Sequence, residues 1–135
     1  MAEIIFRKMT PADVDAVLNF GGKFFKAENS LYIVAEIGGE IVGCAGFEFC
    51  NEDADGKIFV IAPNFQGRGA GKKLLAALIR NAQNLNFQTM TFDIRASNIP
   101  ALHIFQKTGF KIVGRRKFFY DGEDAVTLRA DLENL

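Results

Sequence analysis

Apolar positions along the chain alternate between short strand-like runs and three stretches that predict helices. Strands are predicted over residues 3–8, 31–37, 41–49, 57–62, 89–94, 110–113 and 125–130. A long amphipathic helix is predicted after Pro63, because its apolar residues fall on one helical face: Leu74, Leu75, Leu78, Ile79, Ala82 and Leu85. The resulting order, β-α-β-β-β-α-β-α-β-β, indicates an α/β domain with a mixed sheet.

Proline, glycine and short polar segments predict where these elements begin and end. Residues 10–13, Thr-Pro-Ala-Asp, have the pattern of a helix start, and Gly21-Gly22 is expected to weaken or bend the helix that follows. A third helix is predicted over 98–108, with Pro100 in its first turn and Gly109 as its stop. Polar segments predict a hairpin turn at 38–40, a loop at 51–56 and a turn at 115–117.

Composition and charge narrow the class of protein. The 135 residues, 49% hydrophobic and 24% charged, are expected to form a single domain over 1–135. Sixteen basic and sixteen acidic residues balance to +0, which argues against a nucleic-acid or anionic-membrane binder. Two cysteines and one histidine predict neither a disulfide scaffold nor a metal site. The apolar runs are too short to span a membrane and the start does not resemble a signal peptide, so a cytoplasmic location is expected.

The segment most informative about chemistry is a glycine-rich turn between a strand and the long helix. Gly67, Gly69 and Gly71 allow a tight turn and let a ligand approach the backbone closely. Helix N-termini favour phosphate groups, and Arg68, Lys72 and Lys73 add positive charge. The competing interpretation is that these glycines form only a tight turn.

Residue spacing distinguishes this turn from two better-known phosphate motifs. A P-loop would need glycine and a hydroxyl residue where Gln66 and Lys73 stand. A Rossmann fingerprint would need its third glycine at Lys72. The sequence therefore predicts a pyrophosphate-binding turn of a different kind.

Three segments in order resemble motifs of the GNAT (GCN5-related) N-acetyltransferases. Residues 66–71, Gln-Gly-Arg-Gly-Ala-Gly, resemble the family's Q/R-x-x-G-x-G/A motif, and Ile61-Ala62-Pro63 resembles the V-x-P before it. Residues 95–110 resemble R-x-x-N-x-x-A…Y-x-x-x-G-F, and 121–125, Asp-Gly-Glu-Asp-Ala, resemble the family's last strand entry. The part before residue 61 agrees in element order alone.

The resemblance implies a GNAT fold, a twisted and mostly antiparallel mixed sheet of about six to seven strands flanked by about three helices. It implies acetyl-CoA as co-substrate and no metal, with direct transfer of the acetyl group to a primary amine of a small molecule or a protein N-terminus. The acetyl-CoA-binding residues that it implies are Ile61, Gln66, Gly67, Arg68, Gly69, Ala70, Gly71, Lys72 and Asn98. A homodimer is also consistent with the family.

Two side chains are candidates for acid–base chemistry, because the amine must be neutral and the leaving thiolate can take a proton. Asp55, eleven residues before Gln66, stands where some relatives have a glutamate base; in a polar loop it would simply face solvent. The family's tyrosine is replaced by Phe105, which cannot donate a proton. Tyr120 is the remaining candidate acid, against the alternative of a surface tyrosine.

Two other functions are compatible with these residues. A non-catalytic acyl-CoA-binding module would keep the glycine turn but transfer nothing, in line with the loss of the tyrosine at Phe105. A nucleotide-phosphate binder would bind ATP as well as CoA through the same turn.

Overall fold

Seven strands form one sheet with helices on both faces. The computed structural model describes residues 3–19 and 28–135. The strands are β1 Ile4–Lys8, β2 Ser30–Ile37, β3 Glu40–Cys50, β4 Asp53–Ile61, β5 Thr89–Arg95, β6 Lys111–Tyr120 and β7 Glu123–Asp131. The helices within the described ranges are α1 Val14–Leu18, α2 Ala70–Asn84 and α3 Ile99–Thr108, and short 3-10 turns follow or precede several elements. The predicted order of elements is confirmed.

The sheet is antiparallel except at one pair of strands. Its spatial order is β1-β2-β3-β4-β5-β7-β6, and β4 and β5 are the parallel pair. A parallel connection needs a long crossover, and α2 supplies it. The mixed, mostly antiparallel sheet of the predicted fold class is thereby confirmed.

The main core lies between the sheet and the helices α2 and α3. The apolar stripe of α2 is buried through Leu74, Leu75, Leu78 and Ala82, whereas Leu85 at the helix end is 48% exposed. Met90, Phe92 and Ile94 of β5 face the same core. Because side chains alternate along a strand, Thr89, Thr91 and Asp93 lie on the opposite side. We call that side of β4, β5 and β7 the polar face.

Helix α1 covers part of the other side of the sheet, over β2 to β4. Val17 packs there against Val34 and Cys44 in a second, smaller cluster. An ion pair joins this helix to the edge strand, since Asp13 is 2.8 Å from Arg7. The predicted bend at Gly21-Gly22 lies outside the described residues.

Strand β4 begins earlier than predicted, so the expected loop over 51–56 is wrong from Asp53 onwards. A tight turn with Asn51 at φ +54° lets the chain re-enter the sheet at Asp53. The Asp53 carboxylate accepts hydrogen bonds from Thr89 and Thr91 of β5. Polar side chains suggested a loop here, but their hydrogen-bond partners lie on another strand. Asp55 therefore lies within β4.

Strand β6 extends well beyond its predicted end and includes the basic run 115–117, which is not a turn. Arg115 forms an ion pair with Asp124 at 2.7 Å, and Arg116 lies 3.5 Å from Asp93. The pairing with β7 is irregular in two places, and Phe118 has a φ of +53°. Charged residues therefore occupy a strand because carboxylates of other strands neutralise them.

The parallel strands β4 and β5 separate shortly after they meet. Their pairing covers only Asp53–Asp55 against Thr89–Thr91. A bulge in β4 then leaves Lys57 without a register partner on β3, and bulges increase local twist. The Phe92 ring packs directly over Gly56, where an added Cβ would lie 2.4 Å from ring atoms. The two strands thus open a cleft on the side of α2 and α3.

Candidate active site

A cleft of about 140 Å³ lies between the open end of β4, the start of α2 and helix α3. Its walls are formed by two strand residues with apolar side chains, Phe59 and Ile61, and by the α3 residue Ile104. The remaining lining residues come from β4, the glycine turn and the start of α3: Val60, Gln66, Gly67, Gly71, Asn98, Pro100 and Ala101. The cleft is therefore apolar along its strand wall and polar at the helix N-terminus.

The glycine turn borders this cleft through Gln66, Gly67 and Gly71. Gly67 and Gly69 have φ values of +79° and +77°, in the region that favours glycine, and a Cβ on either would meet no atom within 4 Å. Helix α2 starts at Ala70, and Lys73 N–H donates to the Gly69 carbonyl. The N–H groups of the first turn therefore have no acceptor within the helix and favour an anion.

Gln66 and Asn98 brace the two ends of the cleft. The Gln66 side-chain amide donates to the Ile61 carbonyl at 3.0 Å and ties the glycine turn to the end of β4. The Asn98 side-chain oxygen accepts from the Ala101 N–H at 3.3 Å and caps α3. Both side chains have a structural contact in addition to their place in the lining.

The predicted acetyl-CoA-binding residues fall into two groups. Ile61, Gln66, Gly67, Gly71 and Asn98 line the cleft. The other group lies in the same turn but outside the lining, and consists of Arg68, Gly69, Ala70 and Lys72. Of these, Ala70 is buried, Lys72 is exposed, and the Arg68 guanidinium stacks over the Phe65 ring at 5.6 Å.

Gly71 differs from Gly67 and Gly69 in lying at a close packing contact and not at a positive φ. A Cβ at this position would lie 3.0 Å from Ile104 of α3 and 3.6 Å from the Phe59 ring. The absence of a Cβ therefore lets the start of α2 lie close to α3 and β4.

Phe105, which stands where the family has a tyrosine, lies at the centre of an aromatic cluster. Its ring is fully buried, with centroids 5.1 Å from Phe59, 5.0 Å from Phe92 and 5.0 Å from Phe110. Edge-to-face contacts of this kind stabilise a core beyond simple burial. At this position the chain has a packing residue.

Asp55 lies on the polar face at the closed end of the split between β4 and β5. Its register partners are Glu48 on β3 and Thr91 on β5. The Lys57 ammonium forms an ion pair with the Asp55 carboxylate at 2.9 Å, and this hydrogen bond raises the pKa of Lys57. The carboxylate is thus partnered by a cation of its own strand.

Tyr120 lies at the end of β6 and contacts β5. Its hydroxyl donates to the backbone carbonyl of Asp93 at 3.0 Å, and the Arg95 guanidinium lies 4.2 Å from its ring centroid. Burial raises the pKa of Tyr120, and the nearby Asp93 charge adds to the shift. The phenol therefore keeps its proton and is held beside β5.

Asp93 is a candidate that the sequence reasoning missed. Thr127 of β7 donates to its Oδ1 at 2.5 Å, and Arg116 of β6 lies 3.5 Å from its Oδ2. The alternation of polar residues 89, 91 and 93 with buried 90, 92 and 94 was the available signal, because it places Asp93 on the polar face. The structure brings Asp93 and Tyr120 together, while Asp55 lies further along the split.

The described residues also bear on metals and membranes. No group of three or more His, Cys, Asp and Glu side chains within 3–19 and 28–135 could hold a metal ion. In the same part of the chain, no helix is long and apolar enough to cross a membrane.

The family model and two relatives that match this chain are acetyltransferases. Residues 5–110 match the family model described as Acetyltransferase (GNAT) family. The N-alpha-acetyltransferase RimI of Mycobacterium tuberculosis is 33% identical over 106 residues, which span 74% of this chain and 65% of the relative. A putative [ribosomal protein bS18]-alanine N-acetyltransferase of Bacillus subtilis is 28% identical over 99 residues, spanning 72% and 66%. The chain thus spans a little under two thirds of these relatives' lengths.

The fold is shared with solved structures at low identity. The ribosomal-protein-S18-alanine N-acetyltransferase from Escherichia coli superposes with a TM-score of 0.87 at 20% identity, covering 98% of this chain and 99% of that one. The spermidine/spermine N-acetyltransferase SpeG from Vibrio cholerae gives 0.85 at 17% identity, covering 98% and 96%. The family model matches residues 5–110, which is more than half of the chain. The chain therefore belongs to the GNAT acetyltransferase family.

Proposed function

We propose that this protein is an acetyl-CoA-dependent N-acetyltransferase that acts on a primary amine. The observation that carries the proposal is the split between β4 and β5, which leads on one side to the glycine turn and on the other to Asp93 and Tyr120. This arrangement gives an acyl donor and an amine separate approaches to one point in the sheet. Family membership supports the same reaction.

The glycine turn and the cleft are the proposed acetyl-CoA site. The pyrophosphate would be held by N–H groups of residues 66–71 at the start of α2, with Arg68 and Lys72 adding charge. The pantetheine would follow the apolar strand wall past Ile61, and Asn98 would contact the co-substrate from α3. No metal takes part in this proposal.

Acid–base roles are proposed for residues of the polar face. The amine nitrogen bonds to the thioester carbon, the carbon–sulfur bond breaks, and the amine loses a proton. Asp55 and Asp93 are the two candidate bases; the contacts favour Asp93, because Asp55 forms a 2.9 Å ion pair with Lys57 while the Asp93 Oδ2 has a 3.5 Å contact with Arg116. Tyr120, which holds its proton beside Asp93, is the proposed acid for the leaving thiolate.

The proposed acceptor is the α-amine at the N-terminus of a polypeptide. Three relatives support this choice by name, those of M. tuberculosis, B. subtilis and Sulfurisphaera tokodaii, the last 32% identical over 121 residues. A polyamine is the second candidate, supported by the spermine/spermidine N(1)-acetyltransferase of B. subtilis at 32% identity over 89 residues. The panel of acceptors used to test the proposal therefore includes a small-molecule amine.

Thermal unfolding with acetyl-CoA, CoA and ATP side by side tests the co-substrate site. A ligand at about one hundred times its dissociation constant stabilises the native state by roughly 2.7 kcal/mol, which raises the unfolding midpoint by several degrees. We expect a shift with both CoA species and none with ATP. An equal shift with ATP would support the nucleotide-phosphate binder instead.

Acetyl transfer is tested by release of free CoA over a panel of amines. The panel contains short peptides with free N-termini, the same peptides with blocked N-termini, and spermidine. We expect CoA release that depends on the free α-amine. Tight CoA binding with no acceptor-dependent release would identify a non-catalytic acyl-CoA-binding module.

The cytoplasmic location and the homodimer expected from the sequence stay predictions. Sedimentation analysis would test the homodimer.

A further inference from the structure

The two oxygens of the Asp93 carboxylate have different surroundings. Oδ1 accepts a hydrogen bond of 2.5 Å from the Thr127 hydroxyl. Oδ2 lies 3.5 Å from the Arg116 Nε, which is an ion-pair distance rather than a hydrogen bond. A hydrogen bond thus fixes one oxygen of the carboxylate, while the other oxygen has only the weaker ion-pair contact.

The position of Thr127 in the sheet makes its contact with Asp93 rigid. Thr127 and Asp93 are directly opposed register partners on the neighbouring strands β7 and β5. A threonine side chain has few rotamers, so its hydroxyl is held in place by the strand backbone. Arg116 differs, because its side chain is 57% exposed and its other described contact is the Phe119 ring at 5.2 Å.

We propose that Thr127 is a positioning residue of the acceptor site, which fixes Oδ1 of Asp93 so that Oδ2 takes the proton of the acceptor amine. This inference rests on the proposed function and on the role given there to Asp93. Tyr120 holds the same residue at a second point, since its hydroxyl donates to the Asp93 backbone carbonyl. Backbone and carboxylate of Asp93 are therefore both anchored by hydroxyl groups.

The chemical reason for the role is orientation. A carboxylate that is free to rotate presents either oxygen, or neither, along the line of the amine N–H. Misplacement of a catalytic group by about 1 Å can cost about a hundredfold in rate. Replacing the hydroxyl of Thr127 by a methyl group removes the anchor and keeps the side-chain shape, so the loss should appear in kcat.

The chain offers a matched control on the same face. Thr89 donates its hydroxyl to the Asp53 Oδ1 at 2.7 Å, again from a strand to a carboxylate of its neighbour. This pair lies at the closed end of the split, where β4 and β5 still pair. Thr89→Val therefore removes the same kind of hydrogen bond at a position without a proposed role in catalysis.

The experiment compares wild type, Thr127→Val, Thr127→Ser and Thr89→Val with the best peptide acceptor. For each we would measure kcat, the KM of the acceptor, the Kd of acetyl-CoA and the unfolding midpoint. We expect Thr127→Val to lower kcat about tenfold or more with an unchanged Kd. Thr127→Ser should recover kcat to within about twofold, since it keeps the hydroxyl. Thr89→Val should keep the wild-type kcat.

A double-variant cycle guards against loss of folding in a single variant. If Thr127 acts through Asp93, Thr127→Val should have no further effect on kcat in an Asp93→Asn background. Additive losses, a wild-type kcat in Thr127→Val, or an equal loss in Thr89→Val would overturn the positioning role alone. A wild type that binds acetyl-CoA but transfers nothing to any amine would overturn the proposed function, and the role of Thr127 with it.

Discussion

The two halves of the candidate active site are built in different ways. The glycine turn is a contiguous run, residues 66–71, whose proposed ligand groups are backbone N–H groups. The proposed acceptor side consists of Asp93, Arg116, Tyr120 and Thr127, side chains of three strands that meet through the pairing of β5, β7 and β6. One half is local in sequence and the other is an outcome of topology.

The difference determines how each half should respond to substitution. A backbone site tolerates changes of side chain, except where a Cβ or a charge enters the space of the ligand. A site of assembled side chains depends on each hydrogen bond that fixes a group. We therefore expect changes in the glycine turn to affect co-substrate affinity, and changes on the polar face to affect turnover at unchanged affinity.

Gly69→Asp should have the largest effect and strongly weaken acetyl-CoA binding. The position points into open space at the start of α2, so the carboxylate would enter the proposed pyrophosphate site and repel it. Titration calorimetry with acetyl-CoA should show a Kd weakened by more than about a hundredfold, which corresponds to about 3 kcal/mol.

Two control variants separate the charge from the backbone angle. Gly69→Asn places a side chain of the same shape at φ +77°, which asparagine tolerates, and should weaken binding much less. Gly39→Asp puts the same acid at a left-handed glycine of the β2–β3 turn, and should leave the Kd unchanged. Acetyl-CoA affinity equal to wild type in Gly69→Asp would remove the pyrophosphate assignment.

Asp93→Asn should have the next largest effect, on turnover alone. An amide cannot accept the proton of the amine, and general-base catalysis contributes about 10²–10⁴ in rate. We expect kcat to fall by at least about a hundredfold while the Kd of acetyl-CoA stays at its wild-type value. Steady-state kinetics together with calorimetry checks both halves of this expectation.

Asp55→Asn and Asp53→Asn are the matched variants for this test. Asp55 is the base expected from the sequence, and Asp53 is a carboxylate of the same strand that accepts two threonine hydroxyls. If the larger loss of kcat occurs in Asp55→Asn, the proton acceptor is Asp55 and the preference for Asp93 is wrong. Equal losses in all three would indicate a general effect of charge on this face.

Tyr120→Phe should lower kcat by about tenfold, because a thiolate can leave without an acid. The phenyl ring keeps the stacking contact with Arg95, so folding should be preserved. Burial raises the pKa of Tyr120 above its ordinary value of about 10, and a raised pKa means that the proton is present below that value and lost above it. Wild-type kcat should therefore show no loss from this group up to about pH 9, one unit below the ordinary pKa.

The variant is informative only beside the wild type over the same pH range. Both should have the same acetyl-CoA Kd at each pH between 7 and 10. A wild-type kcat that falls between pH 8 and 9, with no such fall in Tyr120→Phe, would mean that the phenol loses its proton in that range. That result would contradict the burial of Tyr120 against Asp93.

The sequence predicts the glycine turn better than the side chains assembled on the polar face. The spacing of Gly67, Gly69 and Gly71 before an amphipathic helix was sufficient to locate the turn, because local conformation determines it. The seven strands and their order along the chain were also predictable. Asp93 was missed because its partners are tens of residues away, and the position of Asp55 was mispredicted because Asp53 finds its hydrogen bonds on β5.

The smallest effect is expected for a substitution of Asp13. It tests whether the edge strand β1 is independent of both halves of the site. The hydrogen bond from Arg7 is the main cause that lowers the pKa of Asp13 to about 2, from an ordinary 3.8. A lowered pKa contributes stability above the unfolded value that is lost as the pH falls, here between about 4 and about 2.

Asp13→Asn should therefore cost about 1–2 kcal/mol in the free energy of unfolding at pH 7, and the cost should vanish by about pH 2. Urea unfolding at several pH values measures this, with Asp15→Asn, an exposed acid of α1, as the control. The Kd of acetyl-CoA and kcat should both match wild type, because Arg7 and Asp13 join β1 to the start of α1, away from the split. A change in either constant would mean that this edge of the sheet is coupled to the site. The site would then depend on a third region besides the glycine turn and the assembled side chains.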